Sequence, residues 1–148
     1  MIYILWGVIM LCLAYACITD VKTCLVYNVT WWIAGASACL LYPVGAKLPG
    51  KEQLIELIIF LILQWKLFSG WYGKADCYAF SVCAVAGGSL GFGLLEYLIH
   101  MLGAFAILAL VQGMRRNVNR RGNLKHPVPF LPYITLAFWG MLWYHNSC

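Results

Sequence analysis

The chain has 148 residues and a net charge of +5, and 64% of its residues are hydrophobic while only 10% are charged. A water-soluble domain of this size needs a charged exterior, and a mean hydropathy of +0.81 excludes one. The composition predicts an integral membrane protein, long enough for about six helices of about 20 residues and leaving almost nothing for a soluble domain.

Six apolar stretches follow one another along the chain, and each is long enough to form a membrane-spanning helix. They cover residues 2–19, 27–45, 53–69, 76–92, 94–114 and 129–145. The glycine-rich segment GGSLGFG lies between the fourth and fifth stretches, and we interpret it as a tight turn or a site of close helix packing. The sequence therefore predicts an all-α polytopic membrane protein with about six transmembrane helices in one domain, residues 1–148.

The basic residues predict the orientation, because cytoplasmic segments carry an excess of lysine and arginine. With the N-terminus outside, the outer face receives only Lys47 and Lys51. The inner face receives Lys22, Lys66, Lys74, Arg115, Arg116, Arg120, Arg121 and Lys125. This asymmetry predicts both termini on the outer side of the membrane. We interpret RRNVNRR as this topology signal, in contact with the lipid bilayer, and predict no nucleic-acid binding because no folded domain accompanies it.

The chain has two aspartates, Asp20 and Asp76, and the predicted topology places both at the same depth near the inner face. Two carboxylates that converge in a partly dry site cannot both stay charged cheaply, so the pair shares a proton. Such a pair supplies a general base for water and a general acid, which is the chemistry of aspartic proteases. Each aspartate also has a structural alternative: Asp20 paired with Lys22, and Asp76 capping the fourth helix.

Three segments carry a resemblance to a known family. TDVKTCLVYN contains Asp20, Lys22 and Asn28, GKAD contains Gly73 and Asp76, and KHPVPFLPYITLAFWG contains Pro129, Phe130 and Pro132. In this order along six spans, they resemble the type IV prepilin peptidases, membrane aspartic proteases with a GxGD motif. The chain departs from the family pattern at Tyr27, where proline is expected, and at Ala75, where the second glycine is usual.

The resemblance implies a membrane-embedded aspartic endopeptidase that cleaves the leader peptide of prepilin or pseudopilin-like substrates at the cytoplasmic face of the cell (inner) membrane. It implies Asp20 and Asp76 as the catalytic pair. The residues implied to bind substrate or shape the site are Lys22, Asn28, Gly73, Lys74, Ala75, Pro129, Phe130 and Pro132. Longer family members carry an insert with paired CxxC motifs, linked to N-methylation. No such insert fits between Asp20 and Asn28, so the resemblance implies a short, peptidase-only form with no cofactor.

Other interpretations stay open. The alternative is a non-enzymatic membrane protein of similar composition: a small transporter, a pilus or secretion assembly factor, or a degenerate peptidase. A proton-coupled transporter would hold paired carboxylates nearer the midplane and beside broken helices, whereas Asp20 and Asp76 are predicted near one end. Glu96 and His100 share a helix face at a four-residue spacing, but no third ligand is evident and we predict no metal site.

Overall fold

The computed structural model describes residues 1–44, 50–68, 70, 73–118 and 128–147. Within these ranges the chain forms six α-helices and no strand, which confirms the all-α prediction. The helices are α1 Ile2–Thr23, α2 Asn28–Val44, α3 Lys51–Leu63, α4 Lys74–Gly88, α5 Leu94–Val118 and α6 Leu131–Ser147, and α3 continues as a π-helical segment, Gln64–Phe68. Lys47, Arg120, Arg121 and Lys125 lie outside the described ranges, so the charge asymmetry stays a prediction.

The predicted apolar stretches coincide with the helices, and the ends differ by a few residues. Helix α1 continues past the predicted end at residue 19 and ends where Cys24 adopts the left-handed conformation, with φ 53°. The Cys24 N–H donates to the Asp20 carbonyl at 2.9 Å and closes the last turn. Asp20 therefore belongs to the last turn of α1, and the direction of its side chain is fixed by the helix.

The glycine-rich segment between α4 and α5 is both a tight turn and a site of close packing, as the sequence predicts. Gly91 has φ +92°, a conformation that glycine adopts without strain. A Cβ on Gly87 would come within 2.6 Å of the Phe92 ring, so a side chain there would require the ring to shift. The end of α4 and the start of α5 are consequently held close to each other.

The central helix of the described bundle is α4. It packs against α2, α3 and α6, while α1 packs against α2 and α6, and α5 packs against α3 and α6. Many of its buried residues are small, among them Ala79, Ala84 and Ala86, and small side chains let neighbouring helices approach closely. Because Asp76 lies in the first turn of α4, its position is set by a helix that is held on several sides.

Two helices among the described residues are long and apolar enough to cross a bilayer: α1, and Leu94–Met114 of α5, with mean hydropathies of 2.2 and 2.1. Only 17% and 22% of their apolar windows are buried inside the molecule, whereas the core helix of a water-soluble protein is mostly buried. Large exposed apolar side chains occur on every helix, for example Ile4, Trp32, Ile55, Tyr78, Leu102 and Trp143. This surface suits lipid better than water.

A carboxylate joins α3 to the start of α5. The Leu94 N–H donates to Glu56 Oε2 at 2.8 Å, and the adjacent Gly93 N–H donates to Glu96 Oε2 at 2.9 Å. The first N–H groups of a helix have no partner within the helix itself, so Glu56 supplies one from a neighbouring helix. Gln53 Nε2 adds a second link from α3, since it donates to the Gly91 carbonyl at 3.2 Å.

We expect Glu56→Ala to lower the unfolding midpoint in detergent micelles and to cost about 1–3 kcal/mol, because the Leu94 N–H loses its acceptor. Glu56→Gln should recover part of this loss, since its amide oxygen can accept the same bond. Glu52→Ala is the matched control, because Glu52 is an exposed carboxylate on the same helix, and its change should stay within about 0.5 kcal/mol. Equal midpoints for the two alanine variants would contradict this role of Glu56.

Candidate active site

Asp20 is directed at the start of α6. Its side chain is buried, with 9% of the residue exposed, and its Oδ2 accepts a hydrogen bond from the Leu131 N–H at 3.2 Å. The Phe130 backbone also hydrogen-bonds to this carboxylate. The N-terminus of a helix favours a negative charge, because its free N–H groups and its dipole point toward the ligand. These backbone groups offset part of the cost of burying the carboxylate.

Asp76 is partly buried in the first turn of α4. Its Oδ2 accepts a hydrogen bond from the N–H of Gly73, the residue that caps this helix, at 3.1 Å. Gly73 has φ −67° and ψ 158°, an extended conformation that any residue adopts, so the backbone here does not require glycine. A Cβ on Gly73 would lie 3.4 Å from Asp76 Oδ2, in ordinary contact with it. Glycine at this position leaves that side of the carboxylate uncovered.

Both aspartates lie at one end of the bundle, which we call the aspartate end. Phe80, one turn after Asp76, packs against Phe130 with ring centroids 6.0 Å apart, and Phe130 directly precedes the residue that binds Asp20. The charge of Asp20 acts on the Asp76 carboxyl. The fold thus brings together the last turn of α1 and the first turns of α4 and α6. Two carboxylates in such a setting can share a proton and act as an acid–base pair.

The structural alternatives for the two aspartates have different outcomes. Asp76 does cap its own helix through Gly73, as that alternative predicts. The alternative for Asp20 is wrong in its partner: the carboxylate binds the backbone at the start of α6, and not Lys22, whose side chain is exposed. Each aspartate therefore contributes to the fold as well as to the candidate site.

The other predicted site residues divide into three groups: residues near the carboxylates, exposed lysines, and one residue in a separate groove. Those near the carboxylates are Gly73 and Ala75 in the first turn of α4 or just before it, and Pro129, Phe130 and Pro132 where α6 begins. Phe130 is buried, and its carbonyl accepts the N–H groups of Tyr133 and Ile134, so it begins α6. Lys22 and Lys74 are exposed. Asn28, at the start of α2, lines a groove between α2, α3 and α4 instead.

His100 is a buried polar residue whose role the sequence reasoning missed. Its Nε2–H donates to the Ile134 carbonyl of α6 at 2.9 Å, since a carbonyl can only accept. Its ring also packs against Phe80 of α4 and Phe138 of α6, with centroids 5.2 and 5.5 Å apart. His100 consequently connects α5 with the two helices that begin at the aspartate end. The sequence signal that could have found this role is the presence of an ionisable residue within an apolar stretch, where it needs a polar partner.

Glu96 and His100 do not converge on a common point. Glu96 Oε2 accepts the Gly93 N–H in the first turn of α5, whereas His100 faces α6. In the part of the chain that the structure describes, no group of three or more His, Cys, Asp and Glu side chains is arranged to hold a metal ion.

Comparison of this chain with family models, with curated proteins and with solved structures finds no match. The functional argument consequently depends on the residues and on their geometry.

We expect His100→Phe to destabilise the protein by about 1 kcal/mol, because it keeps an aromatic ring between Phe80 and Phe138 but removes the donor to Ile134. His100→Gln should recover part of the loss, since its amide can donate to the same carbonyl. The same substitution at the exposed His145, His145→Phe, serves as the control. Unfolding midpoints measured in one detergent would reveal this order, and an equal effect at both histidines would show that the interhelical bond is unimportant.

Proposed function

We propose that this chain is a membrane-embedded aspartic endopeptidase that cleaves the leader peptide of prepilin-like substrates at the cytoplasmic face of the cell membrane. The observation that carries the proposal is the position of Asp20 and Asp76. They are the two aspartates of the chain, they belong to different helices, and both lie beside the start of α6 at one end of the bundle. The ordered resemblance of their flanking segments to the type IV prepilin peptidases supports the same function.

The two carboxylates would divide the chemistry of peptide hydrolysis between them. The ionised aspartate accepts a proton from water as that water attacks the peptide carbonyl. The protonated aspartate donates a hydrogen bond to the carbonyl oxygen and later gives a proton to the leaving amine. No metal or other cofactor is needed for these steps. Gly73 would let the substrate backbone approach Asp76, and the residues around Phe130 would form one wall of the cleft.

The proposed membrane placement has six spans with both termini outside. Successive helices that alternate in direction would bring the end of α1 and the starts of α4 and α6 to the cytoplasmic side. That side is where the family cuts its substrates, just before an apolar helix. A peptide bond inside a helix is protected by the helix hydrogen bonds, so the substrate must present a locally unwound or extended segment at the aspartate end.

A non-enzymatic membrane protein is the second candidate, and one specific observation favours it. Both carboxylates already accept backbone hydrogen bonds, Asp20 from Leu131 and Asp76 from Gly73. Such bonds would be retained for stability alone in a degenerate peptidase, an assembly factor or a small transporter. Activity and stability must therefore be measured on the same variants.

We expect the wild-type protein in membranes to cleave a prepilin-like substrate. Asp20→Asn and Asp76→Asn should each reduce the cleavage rate by about 10²–10⁴-fold or more, because each removes one acid–base group. Asparagine keeps an oxygen that can accept the bond from Leu131 or Gly73, so the fold should be retained. The measurement is the rate of leader removal, followed by gel mobility or mass spectrometry, together with the unfolding midpoint of each variant.

Glu52→Gln is the matched control, since it neutralises an exposed carboxylate in the first turn of α3. Its cleavage rate should equal that of the wild type. Failure of the wild type to cleave any of several prepilin and pseudopilin leaders would favour the non-enzymatic candidate. Full activity in either asparagine variant would exclude that aspartate from the catalytic pair.

A further inference from the structure

A surface groove of about 800 Å³ lies between α2, the end of α3 with its π-helical segment, and α4. Three contacting rings form its aromatic wall: the Tyr78 ring lies 5.0 Å from that of Trp65 and 6.3 Å from that of Trp31. We call this feature the aromatic groove. Its volume is within the range of about 300–1,000 Å³ that small-molecule sites occupy. The site formed by Asp20 and Asp76 does not account for it, because neither aspartate lines it.

The groove has the length of one lipid leaflet. The α2 residues that line the groove extend from Asn28 to Cys39, and the rise of an α-helix places these two about 16 Å apart. The hydrocarbon core of a bilayer is about 30 Å thick, so one leaflet is about 15 Å. The groove begins at the aspartate end, where α2 starts, and ends near mid-depth. An acyl chain extends over this distance, whereas a transmembrane helix continues across the whole core.

Two lysines lie close in sequence to residues that line the groove near the aspartate end. Lys66 directly follows Trp65 in the π-helical segment, and Lys74 lies one turn before Tyr78 on α4. Both lysine side chains are exposed. The described residues that line the groove include no carboxylate. A cationic opening above an apolar groove is complementary to a molecule with an anionic head and an apolar chain.

We propose that the aromatic groove binds an anionic phospholipid, with one acyl chain between α2 and α4 and the phosphate headgroup at Lys66 and Lys74. This inference rests on the membrane placement given above and is independent of the proteolytic chemistry. If the groove binds no lipid, the proposal that Asp20 and Asp76 cleave a peptide is unaffected. If the protein cleaves no substrate, the proposed lipid site is unaffected.

The test uses the full-length protein purified in detergent and mixed with equal amounts of phosphatidylglycerol and phosphatidylcholine that carry the same acyl chains. Native mass spectrometry counts the lipids bound to each protein molecule. We expect one phosphatidylglycerol to be retained in preference to phosphatidylcholine by about 25-fold, since each of the two lysines contributes about fivefold. Lys66→Gln should reduce the preference about fivefold. Lys51→Gln, at the opposite end of α3, should leave it unchanged.

A second pair of variants tests the groove itself. Gly35 lines the groove, and a Cβ there would meet no atom within 4 Å, so Gly35→Leu can fill the space without a collision at Cβ. Gly140, an exposed glycine of α6 whose Cβ would also meet nothing within 4 Å, gives the matched control Gly140→Leu. We expect Gly35→Leu to lose the retained lipid and Gly140→Leu to keep it. Ala36→Leu, also in the groove, provides an independent variant should Gly35→Leu not fold.

The proposal is overturned by equal lipid retention in wild type, Gly35→Leu and Ala36→Leu, which would indicate a non-specific lipid shell. Equal retention of the two phospholipids by the wild type would overturn it as well, because the lysines would then not select the headgroup. Binding of an apolar transmembrane peptide that Gly35→Leu abolishes, with lipid retention unchanged, would assign the groove to a protein helix instead.

Discussion

The hydrogen bond from the Leu131 N–H to Asp20 joins the first helix of the chain to the last, across 111 positions of sequence. A carboxylate in an apolar protein needs donors, because leaving it unsatisfied costs far more than a surface position would. The free N–H groups at the start of α6 supply them. One turn deeper, Cys17 Sγ and Thr135 Oγ1 lie 3.1 Å apart and continue the same contact between α1 and α6. Phe130, directly before α6, packs against Phe80 of α4, so the same contact region also positions α6 against α4.

Helix N-termini account for the location of four of the five acidic residues. Asp76 and Glu96 accept backbone N–H groups at the starts of their own helices, while Asp20 and Glu56 reach from one helix to the start of another. The fifth, Glu52, is exposed in the first turn of α3. The common cause is the apolar surroundings, in which backbone N–H groups are the main donors available to a carboxylate. A capping contact alone is therefore no indication of catalysis. The candidate active site depends on the position of Asp20 and Asp76 at one end of the bundle and on the ordered motifs around them.

The two ends of α4 impose different constraints. Its start carries Asp76 and borders the aspartate end, while its last turn lies so close to Phe92 that a Cβ at position 87 would require the Phe92 ring to shift. Between them, buried alanines let α2, α3 and α6 approach. A helix held in this way keeps a carboxylate in one place, which acid–base chemistry on a peptide bond demands. The aromatic groove opens beside Tyr78, so the same helix also forms one wall of that groove.

The sequence by itself determined the helical fold and the approximate ends of the helices, because an apolar segment without water must satisfy its backbone hydrogen bonds internally. It also singled out Asp20 and Asp76 as the aspartates whose positions require an explanation. Only the tertiary structure decided that Asp20 binds α6 in preference to Lys22, that His100 faces Ile134 and not Glu96, and that Asn28 belongs to a separate groove. Helix formation is local and follows from composition. The partner of a buried polar group depends on which helices pack together, and apolar stretches of similar composition carry little information about that choice.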